Sequence, residues 1–156
     1  MDNFADKKLL LVFRMKILVL NGPNLNLQGR RQPEVYGTET FDACLERLRT
    51  RYPQVRFDYV QSNHEGVLID TIQQADGVYA GIVFNAGGYT HTSVALHDAI
   101  ASVAVPVVEV HISSILAREG FRHTSMLAPA VIGSIMGFGL DSYRLGVEAL
   151  LERLKQ

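Results

Sequence analysis

Between residues 17 and 154 the chain contains no lysine; the four it has are Lys7, Lys8, Lys16 and Lys155, all near the ends. Imine catalysis requires a lysine with a lowered pKa in a pocket, so no strand end in the interior of the sequence can supply it. Tryptophan is absent and the single cysteine, Cys44, has no partner for an internal disulfide, which points to a reducing compartment. No long apolar run is present either. Leu9–Phe13 is five residues, followed by Arg14 and then Lys16, whereas a membrane span needs about 20 and a signal h-region about 7–15 with a cleavage site. A surplus of charge of one sign is also missing. The formal net charge of −1 argues against nucleic acid or a membrane surface as partner. The chain therefore reads as a cytoplasmic protein. At 156 residues it is expected to form one domain, residues 15–156, with residues 1–14 an extension that the fold does not need.

Familiar cofactor and nucleophile motifs are also missing. There is no G-x-x-x-x-G-K-[ST], no G-x-G-x-x-G after the first strand and no G-x-S-x-G elbow. Asn85-Ala86-Gly87-Gly88 resembles a turn of short-chain dehydrogenases, yet no tyrosine is followed four residues later by lysine. A receiver domain would want carboxylates where this chain has Asn21, Asn24 and Asn85. The five histidines (His64, His91, His97, His111, His123) show no zinc-site spacing.

What is present is a repeating strand, polar loop, helix pattern. Lys16–Asn21, Val55–Val60, Ala80–Phe84, Pro106–Ile112 and Ala130–Met136 read as strands. Apolar residues at Phe41, Cys44, Leu45, Leu48 and Tyr52 follow a 3.6-residue period, with Thr38 as the expected cap and Pro53 as the stop. Further helices are expected after Ser62-Asn63, over roughly Thr92 to Ser102, and through Tyr143, Val147, Leu150, Leu151 and Leu154. Alternation of this kind predicts an α/β class: a flavodoxin-like, doubly wound, five-stranded parallel sheet with helices on both faces. Ligands of such folds bind beyond the carboxyl ends of the strands. Those ends read NGPN, QSN, NAGG, HISS and GFG, rich in hydrogen-bonding and small residues.

Two stretches carry the candidate chemistry. Residues 21–37, NGPNLNLQGRRQPEVYG, are too long for a turn and too polar for core. The Arg30-Arg31 pair stands five residues before Tyr36, and a guanidinium beside a phenol favours the phenolate, turning a poor base into a usable one. At the end of the fourth strand, Glu109 and His111 are i and i+2 and share a face. A carboxylate beside imidazole fixes its tautomer and suits it to act as general acid. Arg118 and Arg122 share a face if their stretch is helical, one of them facing the pocket and the other pairing with Glu119. His91 and Asp98, seven apart, are expected on one face of the helix after NAGG.

These stretches, with SNHEG, NAGGYTHTSVALHDA, EVHISS and AREGFRHTS, resemble the type II 3-dehydroquinate dehydratases from about Met15 to the C-terminus. The resemblance implies a catalytic tyrosine at Tyr36, a loop arginine at Arg31, a general acid at His111 with Glu109 behind it, and an enolate-supporting Asn24. It implies that the substrate's carboxylate and hydroxyls are held by Asn85, His91, Ile112, Ser113 and Arg122, with Arg118 and the Gly87-Gly88 turn beside them. An acidic residue that reaches a neighbouring subunit's site matches Asp98. Residues 123–125, His-Thr-Ser, depart from the family, which more often has a second basic or histidine residue before the serine.

The implied reaction is anti elimination of water from 3-dehydroquinate, giving 3-dehydroshikimate through an enolate, with no metal or organic cofactor. Residues 25–36 are expected to form a lid. A homo-oligomer is implied, a dodecamer built from trimers, serving aromatic amino acid biosynthesis by the shikimate pathway or quinate breakdown. Two other readings stay open from the residues alone. One is a non-catalytic flavodoxin-like module that binds a small carboxylate, and the other is a hydratase or lyase for a related polyhydroxy keto acid.

Overall fold

The structure, a computed structural model, describes residues 15–30, 34 and 37–156; residues 1–14 lie outside these. Five parallel strands form one sheet: β1 Lys16–Asn21, β2 Arg56–Gln61, β3 Gly81–Asn85, β4 Val107–His111 and β5 Gly133–Met136. Their order is β2-β1-β3-β4-β5, the flavodoxin-like arrangement whose switch point lies between β1 and β3. The connecting helices are α1 Phe41–Arg51, α2 Glu65–Ala75, α3 Val94–Ala101 and α4 Asp141–Leu154.

Because successive strand residues face opposite sides, β1 feeds two cores. Ile17 and Val19 pack with Phe41, Cys44, Leu45 and Leu48 of α1 and with Tyr143, Val147 and Leu150 of α4. Leu18 and Leu20 pack with Leu68 and Ile72 of α2 and with Leu96 and Ile100 of α3. Cys44 is enclosed here, and burial pushes its thiol up to about 11, so it stays protonated at neutral pH. Among the described residues no helix is long and apolar enough to cross a membrane.

The helix starts differ from expectation. Thr40, not Thr38, caps α1: its hydroxyl accepts from Ala43 N at 3.3 Å, the three-residue reach that a cap requires. In α2 the cap position is His64, and Ser62 instead receives His64 N on its hydroxyl at 3.0 Å. Helix α3 begins at Val94 with Ser93 accepting from Leu96 N, because Gly87–His91 forms a separate 3-10 segment. His91 and Asp98 therefore do not share a helix. Strand β5 is shorter than expected and starts at Gly133.

At the switch point two loops cross almost in contact. Gly22 N donates to the Asn85 carbonyl at 2.7 Å, and a Cβ on Gly22 would lie 2.5 Å from the Ala86 carbonyl oxygen. Gly87 adopts φ +58°, and a Cβ there would lie 3.0 Å from the Pro23 carbonyl oxygen. Gly22→Ala is expected to force these backbones apart and cost about 1–3 kcal/mol, read as a lowered midpoint in urea unfolding. An unchanged midpoint would mean that the crossing is compliant.

Candidate active site

A pocket of about 210 Å³ opens at the carboxyl ends of β1, β3 and β4. It is built from three stretches. After β1 come Pro23, Asn24 and the 3-10 turn Leu25–Leu27; after β3 come Gly87, Gly88 and His91; after β4 come Ile112, Ser113, Arg118, Glu119 and Arg122. Asn85 and His111 lie at its floor as the last residues of their strands.

Asn24 holds φ 69°, the only positive value at a non-glycine residue among those described. Asparagine tolerates that region better than most residues. The Asn63 side chain pins it by accepting from Asn24 N at 3.0 Å. Asn85 is oriented from below. Tyr143 on α4 donates to Asn21 Oδ1 at 2.8 Å, so its oxygen is left to accept from Asn85 Nδ2 at 2.9 Å. Asn85 Oδ1 in turn accepts from Gly87 N at 3.1 Å. Burial pushes the Tyr143 phenol well above its ordinary value, which keeps it a neutral donor.

His111 is paired with a fully enclosed carboxylate. Its Nε2 lies 2.7 Å from Glu109 Oε1, as the i, i+2 spacing predicts. Glu109 also accepts from Ser125 Oγ on Oε1 and Ser134 Oγ on Oε2, both at 2.7 Å. Burial alone would push this carboxyl up, but the hydrogen bonds from His111, Ser125 and Ser134 outweigh it and hold Glu109 below its ordinary 4.5.

The two arginines meet the pocket by another route than expected. Residues 115–122 form two 3-10 turns, Ile115–Ala117 and Gly120–Arg122, with Arg118 extended between them, so no helical face relates Arg118 to Arg122. Both line the pocket, and Glu119 draws them together, 3.6 Å from Arg118 Nε and 2.9 Å from Arg122 Nε. Arg118 also donates to Ser113 Oγ at 3.2 Å. Histidines hold this loop by its carbonyls. His91 Nδ1 donates to Thr124 O and His97 Nδ1 to Met126 O, each at 2.8 Å, while His123 Nε2 donates to Arg118 O at 2.7 Å. His91 uses a main-chain atom of residue 124, so the family departure at that side chain leaves the contact intact.

Asn24, Asn85, Gly87, Gly88, His91, His111, Ile112, Ser113, Arg118 and Arg122 thus come together around one cavity, with Glu109 behind His111. Asp98 lies exposed on α3, apart from this pocket. Arg31 and Tyr36 lie outside the described residues. Sequence reasoning missed Ser125 and Ser134 as partners of Glu109, Tyr143 as the support of Asn85, and Glu119 as a wall of the pocket. Among the described residues no cluster of three or more metal-ligating side chains occurs.

The profile of the family described as Dehydroquinase class II matches residues 15–151. The chain belongs to that family. It is 55% identical over 142 residues to the 3-dehydroquinate dehydratase of Gloeothece citriformis, covering 90% of this chain and 93% of that one. It is 57% identical over 142 residues to the enzyme of the same name from Ruegeria pomeroyi, covering 88% and 94%. Among solved structures, the type II dehydroquinase of Butyrivibrio crossotus superposes with a TM-score of 0.86 at 43% identity, covering 89% of this chain and 99% of that one. The sheet order described above is therefore that of a type II dehydroquinase fold.

Two outcomes are expected from this geometry. Tyr143→Phe leaves the Asn21 and Asn85 amides short of a partner and should cost about 1–3 kcal/mol, measured by chemical denaturation; a loss below the error of that measurement would show that water replaces the phenol. Glu109 is held below 4.5 in the fold, so its contribution is present above that pH and is lost as pH falls through the depressed value. Between pH 7 and pH 3 the wild type should lose more stability than Glu109→Gln, and parallel curves would contradict the buried carboxylate.

Proposed function

We propose that this chain is a type II 3-dehydroquinate dehydratase, a hydro-lyase that removes water from 3-dehydroquinate with a tyrosinate base and a histidine general acid. The observation that carries the reading is the Glu109–His111 pair at 2.7 Å, on the floor of a pocket that also holds Arg118 and Arg122. In this proposal the Tyr36 phenolate, favoured by Arg31, takes the proton alpha to the ketone. The resulting enolate oxygen is stabilised by hydrogen bonding, with Asn24 supporting it through a water. Collapse of the enolate expels the hydroxyl, and His111 supplies the proton that makes it leave as water. One proton is then on Tyr36 and one is missing from His111; exchange with solvent resets both.

Binding follows from charge. The substrate is a carboxylate, and among the described residues two guanidiniums and two imidazoles line the cavity against the single acid Glu119. Ile112, Ser113 and Arg122 are assigned to the carboxylate and hydroxyls, with Asn85 and His91 on the opposite wall. The segment 25–36 is assigned as the cover, a reading supported by Leu25, Leu27 and Gln28, which line the pocket. The exposure of Asp98 away from its own pocket supports its assignment to a neighbouring subunit's site within trimers that build a dodecamer. Residues 1–14 are assigned as an extension outside the domain, and the proposed setting is cytoplasmic aromatic biosynthesis.

The test is ultraviolet detection of the conjugated enone from purified protein and 3-dehydroquinate, with and without chelator and borohydride. Product is expected under all conditions. Tyr36→Phe should lose nearly all turnover while still binding ligand, and His111→Ala should lose about 10²–10⁴-fold in kcat. No product from a folded, ligand-binding wild type would overturn the reading in favour of a binding module. Wild-type kcat in Tyr36→Phe would remove Tyr36 as base, and a pure KM effect in His111→Ala would make His111 a binding residue.

A further inference from the structure

Strand β2 ends at Gln61, and the side chains of Gln61 and Asn63 grip the loop that leaves β1. Gln61 Nε2 donates to the Gly22 carbonyl at 3.2 Å and to Asn63 Oδ1 at 3.1 Å. Asn63 Oδ1 also accepts from Asn24 N at 3.0 Å. The main chain fixes the sense of both amides. A carbonyl only accepts, so Gln61 turns its nitrogen to Gly22; a backbone N–H only donates, so Asn63 turns its oxygen to Asn24. The bond between the two amides then has one allowed direction, from Gln61 nitrogen to Asn63 oxygen. The result is a bridge with one anchor at residue 22 and the other at residue 24. From the opposite side, Gly22 N donates to the Asn85 carbonyl at 2.7 Å.

We propose that Asn63 is a positioning residue for the reaction: its amide oxygen holds the main chain of Asn24 in the left-handed conformation that presents Asn24 to the pocket. Among the described residues Asn63 Oδ1 is the only partner of Asn24 N. On the far side of the same residue, the Asn24 carbonyl accepts from Leu27 N at 3.0 Å and opens the turn Leu25–Leu27. The peptide planes before and after Asn24 are thus each tied by one hydrogen bond. With both planes held, the residue keeps φ 69°, a value that costs any residue but glycine more than a negative φ does. Relaxation to a negative φ would swing the side chain to another direction. That side chain makes no cap bond to the turn it precedes, and Asn24 lines the pocket, so its amide stays available to a ligand. Asn63 is exposed, but a water in place of its oxygen has no covalent link to β2 and no fixed position.

The role rests on the reading of Asn24 as the residue that supports the enolate, and the experiment separates the two. In steady-state kinetics with 3-dehydroquinate, Asn63→Ala is expected to lose about 3- to 10-fold in kcat with KM little changed. Asn63→Asp keeps an acceptor for both N–H groups and should restore kcat. Asn24→Gly accepts a positive φ but lacks the amide, so it should be slow by itself. Adding Asn63→Ala to it should cost little more, because the effect runs through Asn24. Exchange of the Asn24 main-chain amide, followed without substrate, should quicken in Asn63→Ala and return to the wild-type rate in Asn63→Asp. Wild-type kcat in Asn63→Ala overturns the proposal. So does Asn63→Asp as slow as Asn63→Ala, full multiplication of the two losses in the double variant, or unchanged amide exchange. Wild-type kcat in Asn24→Gly removes the assignment of Asn24 and the role of Asn63 with it. If the wild type itself makes no product, the dehydratase reading falls and takes the catalytic role with it, while the exchange data still decide whether Asn63 holds Asn24.

Discussion

A carboxylate with no solvent contact, Glu109 on the central part of the sheet, sets terms that the surrounding structure has to meet. An unpaired ion at that depth is destabilising by several kcal/mol, and only a geometry that saturates it makes it tolerable. Saturation here comes from three directions. His111 is two residues along the same strand, Ser134 is the register partner on β5, and Ser125 belongs to the loop between β4 and β5. The loop in turn is held by His91 and His97, both from the segment after β3. Catalytic geometry and fold stability are therefore properties of the same small set of hydrogen bonds, and changing one member is felt by both.

The switch point imposes a second constraint, steric where the first is electrostatic. The loops leaving β1 and β3 diverge above the sheet, and the pocket exists because they cross first at Gly22 and Gly87, too close for side chains. Beneath the crossing, Asn21, Asn85 and Tyr143 form a buried hydrogen-bonded chain between the ends of two strands and the last helix. Tyr143 is separated from Asn85 by 58 residues, so closing the pocket floor waits on docking of α4. This is one reason the site cannot form from its local motifs alone.

Much of the architecture was legible in the sequence because it follows from local periodicity. The five strands and the buried face of α1 follow from spacing, and Glu109 reaching His111 follows from the pleat of a single strand. Local rules failed where two candidates competed or where regular structure stopped. Thr38 and Thr40 are equally good caps by type, and packing of Phe41 decides between them. Arg118 and Arg122 have helical spacing, but the extended backbone at Arg118 and Glu119 splits the run into two short turns, and an acid between them does what a helix face was expected to do. Ser125 and Ser134 carry no signal by themselves. Their importance appears only when the β4–β5 register and the returning loop bring them to one carboxylate. For Arg31 and Tyr36 the sequence and its resemblance are the whole basis of the assignment.

Two histidines face the same cavity, and their partners separate their functions. His91 donates from Nδ1 to the Thr124 carbonyl, a neutral dipole on the loop it anchors. His111 donates from Nε2 to Glu109, a full charge held in place by two serines. The opposite nitrogens are thereby left for the ligand, Nε2 in one ring and Nδ1 in the other. A carbonyl dipole stabilises an added positive charge much less than a buried carboxylate does, so the ring beside Glu109 is the one built to carry and deliver a proton. His91 is built to hold a hydroxyl and to brace the arginine loop. That division needs no difference in the ring itself: it is made by one buried acid and by the two serine hydroxyls that hold it in place.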